Sequence, residues 1–256
     1  MPAIEIEAIV LRKYPLNDFD QIIVVFSKEY GKLSIKALGV NRANSKNKFS
    51  IQTFSRSRFE IFKTNRLEGI SKLKTGELIN LNINLSKIYQ NYLYASACVE
   101  LIELSFESNV KNIQAFNILN EVIFKLNHNI NSTKNFSLFL FYSLDWFGVK
   151  WDLKKCVNCN EKKVDYSNFD FQNYGFLCRK CNNLDNFQVS QSFVDFLIKL
   201  DRSNFFQIRD EDQYNVRDVI LLTNVLMEYL SSEVGLYIIA LETIKKQKVF
   251  QNITFL

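Results

Sequence analysis

Apolar positions in the first eighty residues recur at every second place, whereas beyond residue 86 they recur at every third or fourth. Residues 4–12 (IEIEAIVLR), 20–27 (DQIIVVFS) and 32–38 (KLSIKAL) are rich in β-branched side chains and separated by short polar breaks, with Gly31 at the second, so they predict strands. A polar stretch, GVNRANSKNK, is followed by FSIQTF, RSRFEIFK and RLEGISKL, which alternate again around a turn at KTNR. In RSRFEIFK the period puts Arg56, Arg58, Glu60 and Phe62 on one side and Phe59 and Ile61 on the other. From there the period lengthens. Ile88, Tyr92, Ala95, Val99 and Ile102 mark the apolar face of a helix, and further helical stretches are predicted near 112–126, 135–147, 190–201, 214–231 and 233–247.

The chain therefore reads as α+β: a small β-domain over 1–80, then a mainly α-helical domain over 81–256 carrying a cysteine-bearing insertion at 153–184. Five or six short strands suit a five-stranded barrel of the OB type, which binds oligonucleotides on one face and in its flanking loops. With 256 residues, 47% of them apolar, both parts can fill a core. The opening residues, MPAIEIEAIVLRKYPLNDFD, lack the apolar core of a signal peptide, and no apolar run approaches the roughly 18 residues a membrane helix needs. A cytoplasmic protein is expected.

Charge changes the picture once it is located. The net charge is +5, but residues 1–80 hold 14 Lys and Arg against 8 Asp and Glu, while residues 81–256 hold 18 against 19. Between Lys36 and Lys74 ten basic side chains face two acids, Glu60 and Glu68. Such a block is either solvated surface or the footprint of a polyanion site, and an OB-type barrel favours the second. The candidate strand-binding residues are Lys36, Arg42, Lys46, Lys48, Arg56 and Arg58. The loop cations sit among Asn and Ser with no apolar neighbour to demand burial, whereas the two strand arginines have Glu60 or Glu68 as alternative partners. Phe62 reads as a core residue or as a ring on which a base stacks.

Four of the five cysteines form two CxxC pairs, Cys156 with Cys159 and Cys178 with Cys181, separated by eighteen residues. In a reducing compartment such pairs are metal ligands before they are disulfides. Two knuckles complete a tetrahedral thiolate shell, so one structural Zn2+ is expected; the alternative is four buried thiols. Asn160 and Asn182 follow the knuckles, where a left-handed residue is commonly needed. Cys98 lies on an apolar helix face and reads as a small core residue.

Catalytic chemistry has little to stand on. The seven glycines are nowhere closer than seven residues, so neither a GxxxxGK phosphate loop nor a GxGxxG turn can be written. His128, the single histidine, has no local metal-ligand or triad partner, and neither CxxC carries the proline of a zinc deaminase. No enzyme is expected.

The stretch AIVLRKYPLNDFDQIIVVFSKEYGKLSIKALGVNRANSK, with its YGKL turn and the Gly39, Arg42, Ser45 loop, resembles the opening of the RecO family of bacterial recombination mediators. FYSLDWFGVKWDLKKCVNCN and YGFLCRKC resemble the family's helix running into the first knuckle and its second knuckle. The resemblance spans nearly the whole chain, and it departs where IQTF replaces a proline before Phe54. It implies DNA repair by homologous recombination: binding of single- and double-stranded DNA, annealing of complementary strands, and help in loading recombinase onto DNA coated with single-strand binding protein. The partners it implies are RecR and the acidic C-terminal tail of that binding protein, met at the nucleoid. The near-neutral helical domain is the expected partner surface, and the β-domain the expected DNA surface. The alternative from the residues is an RNA-binding accessory factor of transcription or translation, since OB-folds and zinc modules recur there too.

Overall fold

The computed structural model describes residues 2–66, 69–162, 165–183 and 187–251. They form two compact units, residues 1–129 and 130–256.

In the first unit five strands, β1 (Ile4–Pro15), β2 (Gln21–Ser27), β3 (Gly31–Ala37), β4 (Arg56–Phe62) and β5 (Ser71–Asn80), close a barrel in the order β1-β2-β3-β5-β4. All neighbours are antiparallel except β3 and β5, which pair in parallel through only Ile35 with Ser71 and Lys36 with Lys72. The two-residue period does what it predicts. Leu33, Ile35, Phe59, Ile61 and Leu73 point into the barrel with Ile6, Val10, Ile23 and Val25, while Lys32, Ser34, Lys36, Arg58 and Phe62 stay out. Gly31 opens β3 at φ +70, and a Cβ there would lie 1.9 Å from the carbonyl oxygen of Val110, so both the turn and the close approach require glycine.

FSIQTF was expected to be a strand and is a chain of turns. Its alternation comes from a different constraint. Ile51, with Val40, plugs the barrel core, while the carbonyl of Ser50 accepts from the hydroxyls of both Ser55 and Ser57 at 2.8 Å, which holds the segment curled.

α1 (Tyr89–Ser105) and α2 (Ile113–Asn127) belong to this unit and not with the later helices. The reason is on the outside of β1 and β2, where Ile9, Leu11 and Phe26 are also buried. Phe26 meets Phe106 at 5.2 Å, and Arg12 bridges Glu100 and Glu103 of α1 at 3.0 and 2.7 Å. Burial also corrects the face expected for α1. Ala95, Val99 and Ile102 are buried, but so are Leu93, Tyr94, Ala97, Cys98 and Leu101, while Ile88 and Tyr92 are exposed. A helix apolar nearly all round has no single stripe to read.

The second unit contains α3 (Ser132–Ser143), α4 (Gln191–Arg202), α5 (Val216–Ser232), α6 (Ile239–Lys245) and α7 (Lys248–Gln251). The helix expected over 233–247 is broken by Gly235 at φ +74, and α6 starts only at Ile239. Between α3 and α4 lies a two-stranded sheet, β6 (Tyr166–Asp170) and β7 (Gly175–Cys178), where the sequence predicts a loop between knuckles. An aromatic cluster seats it: Phe169 of β6 lies 5.4 Å from Trp151 and 6.0 Å from Phe193 of α4. Among the described residues no helix is long and apolar enough to cross a membrane.

Candidate metal centre and nucleic-acid interface

The β6–β7 hairpin is what brings the two CxxC pairs together. β7 delivers Cys178 at its end, and Val157 N–H donates to the Phe176 carbonyl at 2.9 Å, so the first knuckle is pinned alongside β7. In each knuckle the backbone folds back on the first cysteine: Asn160 N–H donates to Cys156 O at 2.9 Å, and Asn182 N–H to Cys178 O at 3.0 Å. Asn160 takes the left-handed conformation expected of it, φ 60. Asn182 does not; its side chain instead links two segments, Oδ1 accepting from Asn168 at 3.0 Å and Nδ2 donating to Gln188 at 2.9 Å.

The four sulfur atoms of Cys156, Cys159, Cys178 and Cys181 lie within 4.8 Å of one another, and those of Cys159 and Cys178 are 3.9 Å apart. A tetrahedron with metal–sulfur bonds of about 2.3 Å has edges of about 3.8 Å, so the donor set fits one four-coordinate ion. The thiols do not share one environment: Cys156 is lowered, whereas Cys159 and Cys181 are raised. Burial alone would raise the Cys156 thiol, but N–H groups of Cys159, Cys178 and Asn158 outweigh it and bring it down to about 6. Cys181 shows the other half of the same crowding: its hydrogen bond to Cys178, then burial, push it up to about 12. With all four positions supplied by protein, such a site is structural and keeps no place for a reacting water. Cys98 is apart from it, fully buried in α1, and burial raises its thiol.

On the barrel the six predicted cations separate into two groups. Arg56 gives Nε and Nη2 to Glu7 at 2.8 and 2.6 Å and Nη1 to Asn120 at 3.3 Å. Arg58 lies between Glu5 and Glu77 at 3.3 and 3.2 Å, and Lys74 meets Glu60 at 2.6 Å. The arginines thus pair across strands, with Glu7 and Glu5 of β1 and Glu77 of β5, and not with Glu60; Glu68 lies outside the described residues. Sequence reasoning missed these partners because cross-strand neighbours are remote in the chain.

Lys36, Arg42, Lys46 and Lys48 make no ion pair among the described residues, and the three loop cations are exposed. The loop that carries them is built. Asp20 Oδ1 accepts from Gly39 N–H at 2.7 Å, Asn41 N–H donates to Phe19 O at 3.0 Å, and Gln21 Nε2 donates to Asn41 Oδ1 at 2.8 Å. The Gly39 hydrogen bond, then that of Asn17, and more weakly the charges of Lys36 and Arg42, hold the Asp20 carboxyl below its usual range. Arg42 lies over the ring of Phe19 at 5.4 Å, and that ring is 52% exposed. Lys36 stands beside Lys72 across the parallel seam, and Lys72 beside Phe62 of β4, giving a row of two cations and an exposed ring on the barrel's outer surface. Phe19 and Lys72 were not singled out from sequence; the signal available was the aromatic in NDFDQ next to a strand and the lysine in ISKL.

Models of two families match this chain: Recombination protein O N terminal over residues 1–82 and Recombination protein O C terminal over residues 87–237. The chain belongs to the RecO family. A DNA repair protein RecO of Mesoplasma florum is 39% identical over 258 residues, covering 100% of this chain and 95% of the relative. That of Mycoplasma capricolum is 34% identical, covering 91% and 93%, and that of Bacillus pumilus 25%, covering 97% and 93%. The RecO N-terminal match coincides with the barrel, and the C-terminal match covers α1 to α5 and the knuckles, stopping before α6.

Proposed function

We propose that this RecO-family chain binds single- and double-stranded DNA through its barrel, anneals complementary strands, and assists the loading of recombinase onto DNA coated with single-strand binding protein, acting with RecR in the cytoplasm at the nucleoid. The observation that carries the reading is the cluster of cations that make no ion pair among the described residues, Lys36, Arg42, Lys46 and Lys48, beside exposed rings. Two strands repel through their phosphates, and a surface that neutralises several phosphates at once lowers that repulsion and raises local strand concentration. Contacts of this kind position a strand without reading its bases. Arg56 and Arg58, already neutralised by Glu7, Glu5 and Glu77, add less to the field than the loop does.

Annealing makes and breaks no covalent bond, so the chain acts without an enzymatic centre. Zinc is the ion that suits the four thiolates, tying the hairpin to the helical fold. Division of labour follows the charge: residues 1–80 take DNA, and the near-neutral helical part over 81–256 takes protein partners, among them the acidic tail of single-strand binding protein. The test is annealing of complementary oligonucleotides precoated with single-strand binding protein. Acceleration by the full chain, lost in an Arg42, Lys46, Lys48→Ala variant, is the expected result; no acceleration by the wild type overturns the reading.

A further inference from the structure

Beside the basic loop the first unit has a cleft of about 390 Å³ that the DNA surface described above does not use. It lies at the small end of ligand-pocket sizes, about 300–1,000 Å³. Its walls are Phe49 and Phe54 from the turns after β3, Ile83 from the approach to α1 and Tyr92 from α1 itself, and Lys13 and Asn82 complete the lining. Phe49 and Ile83 are 60% and 63% exposed, more than apolar residues of this size need to be. Tyr92 stands edge-on to Phe54 at 5.7 Å, so the wall they share is fixed.

Asn82 is 7% exposed, and its Nδ2 donates to Phe54 O at 2.8 Å, which ties the approach to α1 to the Phe54 turn. Two features point to a ligand. Phe54 holds φ +69, a left-handed conformation rare for an aromatic residue, at the wall of the cleft. Lys13 directs its ammonium to the neutral Gln52 amide at 2.6 Å and makes no ion pair among the described residues.

We propose that this cleft receives one unpaired nucleobase turned out of a strand that runs along the basic loop, with Lys13 and Lys48 on the flanking phosphates. The inference rests on the strand-binding reading above and adds a cause for strand type. The cleft and the loop are one segment: Phe49 follows Lys48, and Gln52, which accepts from Lys13, donates to the Lys48 carbonyl at 2.6 Å. Flat rings on the wall stack any base. A base offers its flat face to a wall ring only when it is unpaired and turned out of its stack, and all four bases have such a face. The cleft thus separates single strands from duplex without separating sequences.

The test uses the full chain, a labelled single-stranded dT 20-mer and a 20-base-pair duplex, each titrated over a range of salt. The variants are Phe49→Ala, which removes an exposed wall ring, and Ser86→Phe, which fills the cleft from an exposed position; circular dichroism melts establish that both fold. Expected is a loss of about tenfold in single-strand affinity at every salt concentration, the scale of one stacked base, with the salt slope and the duplex affinity unchanged. Folded variants that bind the single strand like the wild type overturn the cleft while a steep wild-type slope leaves the basic loop standing. Single-strand and duplex affinity falling together also overturns it. A wild type that binds neither DNA, or binds without salt dependence, removes the strand-binding reading and this one with it.

Discussion

Replacing Arg42, Lys46 and Lys48 together by alanine is the sharpest perturbation of the barrel surface. All three side chains are exposed and none makes an ion pair among the described residues, and only Arg42 feels the nearby Asp20 carboxylate, weakly, so each remains available to a phosphate. Each phosphate contact contributes about 0.7 to the slope of log affinity against log salt for single strands, and three contribute about 2. Between about 50 and about 200 mM salt the wild type should therefore lose about 20-fold more affinity than the variant. Stability should barely move, because the stacking of Arg42 over Phe19 that the variant gives up is worth about 0.5–1 kcal/mol at an exposed site. Arg58→Ala is the internal control, because that guanidinium already lies between Glu5 and Glu77, and its removal should flatten the slope far less than any one loop cation does. The assay is fluorescence anisotropy of a labelled oligonucleotide across a salt series. Equal slopes for the wild type and the triple variant, or an Arg58→Ala slope as flat as the triple variant's, would refute the division of the cations into free and neutralised groups.

Cys178→Ser should abolish stoichiometric metal in the purified protein and lower the melting temperature of the helical unit while leaving the salt slope intact; elemental analysis of the wild type finding no metal would count against the site. Gly31→Ala combines a left-handed φ with a Cβ 1.9 Å from Val110 O, and a loss of at least about 2 kcal/mol is expected by urea titration. Asp20 has a folded pKa depressed chiefly by the Gly39 N–H, so its contribution to stability is present above the ordinary carboxylate value and is lost as pH falls through the folded one. Asp20→Asn should thus lose stability at neutral pH and show a shallower decline below about pH 4 than the wild type in melts from pH 7 to pH 2.

What could be read from the chain followed from periods and spacings that act locally. β3 and β4 keep strict alternation because one face of each fills the barrel, and the knuckles are legible because two ligands sit three residues apart. The rest depends on partners remote in sequence. FSIQTF alternates like a strand, yet Ile51 serves as a plug. α1 shows no clean stripe because it is buried on several sides, and the β6–β7 hairpin has one four-residue strand, too short to declare itself beside the cysteines that flank it. Of the six cations, composition alone could not separate Arg56 and Arg58 from the loop, since Glu5, Glu7 and Glu77 reach them only across the sheet.

The parallel seam between β3 and β5 has a kinetic meaning. The β1-β2-β3 meander and the β4–β5 pair are local and can form early, whereas the seam joins Ile35 to Ser71, and β1–β4 pairing joins residues still farther apart. Closing either must span the segment from Leu38 to Ser55, so the basic loop is expected to be completed late in the barrel's assembly. Val40→Ala and Ile51→Ala, which loosen that plug, should quicken unfolding and leave the refolding rate almost unchanged in stopped-flow measurements. A surface finished late also opens early, so the DNA-facing end of the barrel should exchange its amide hydrogens ahead of the meander that supports it.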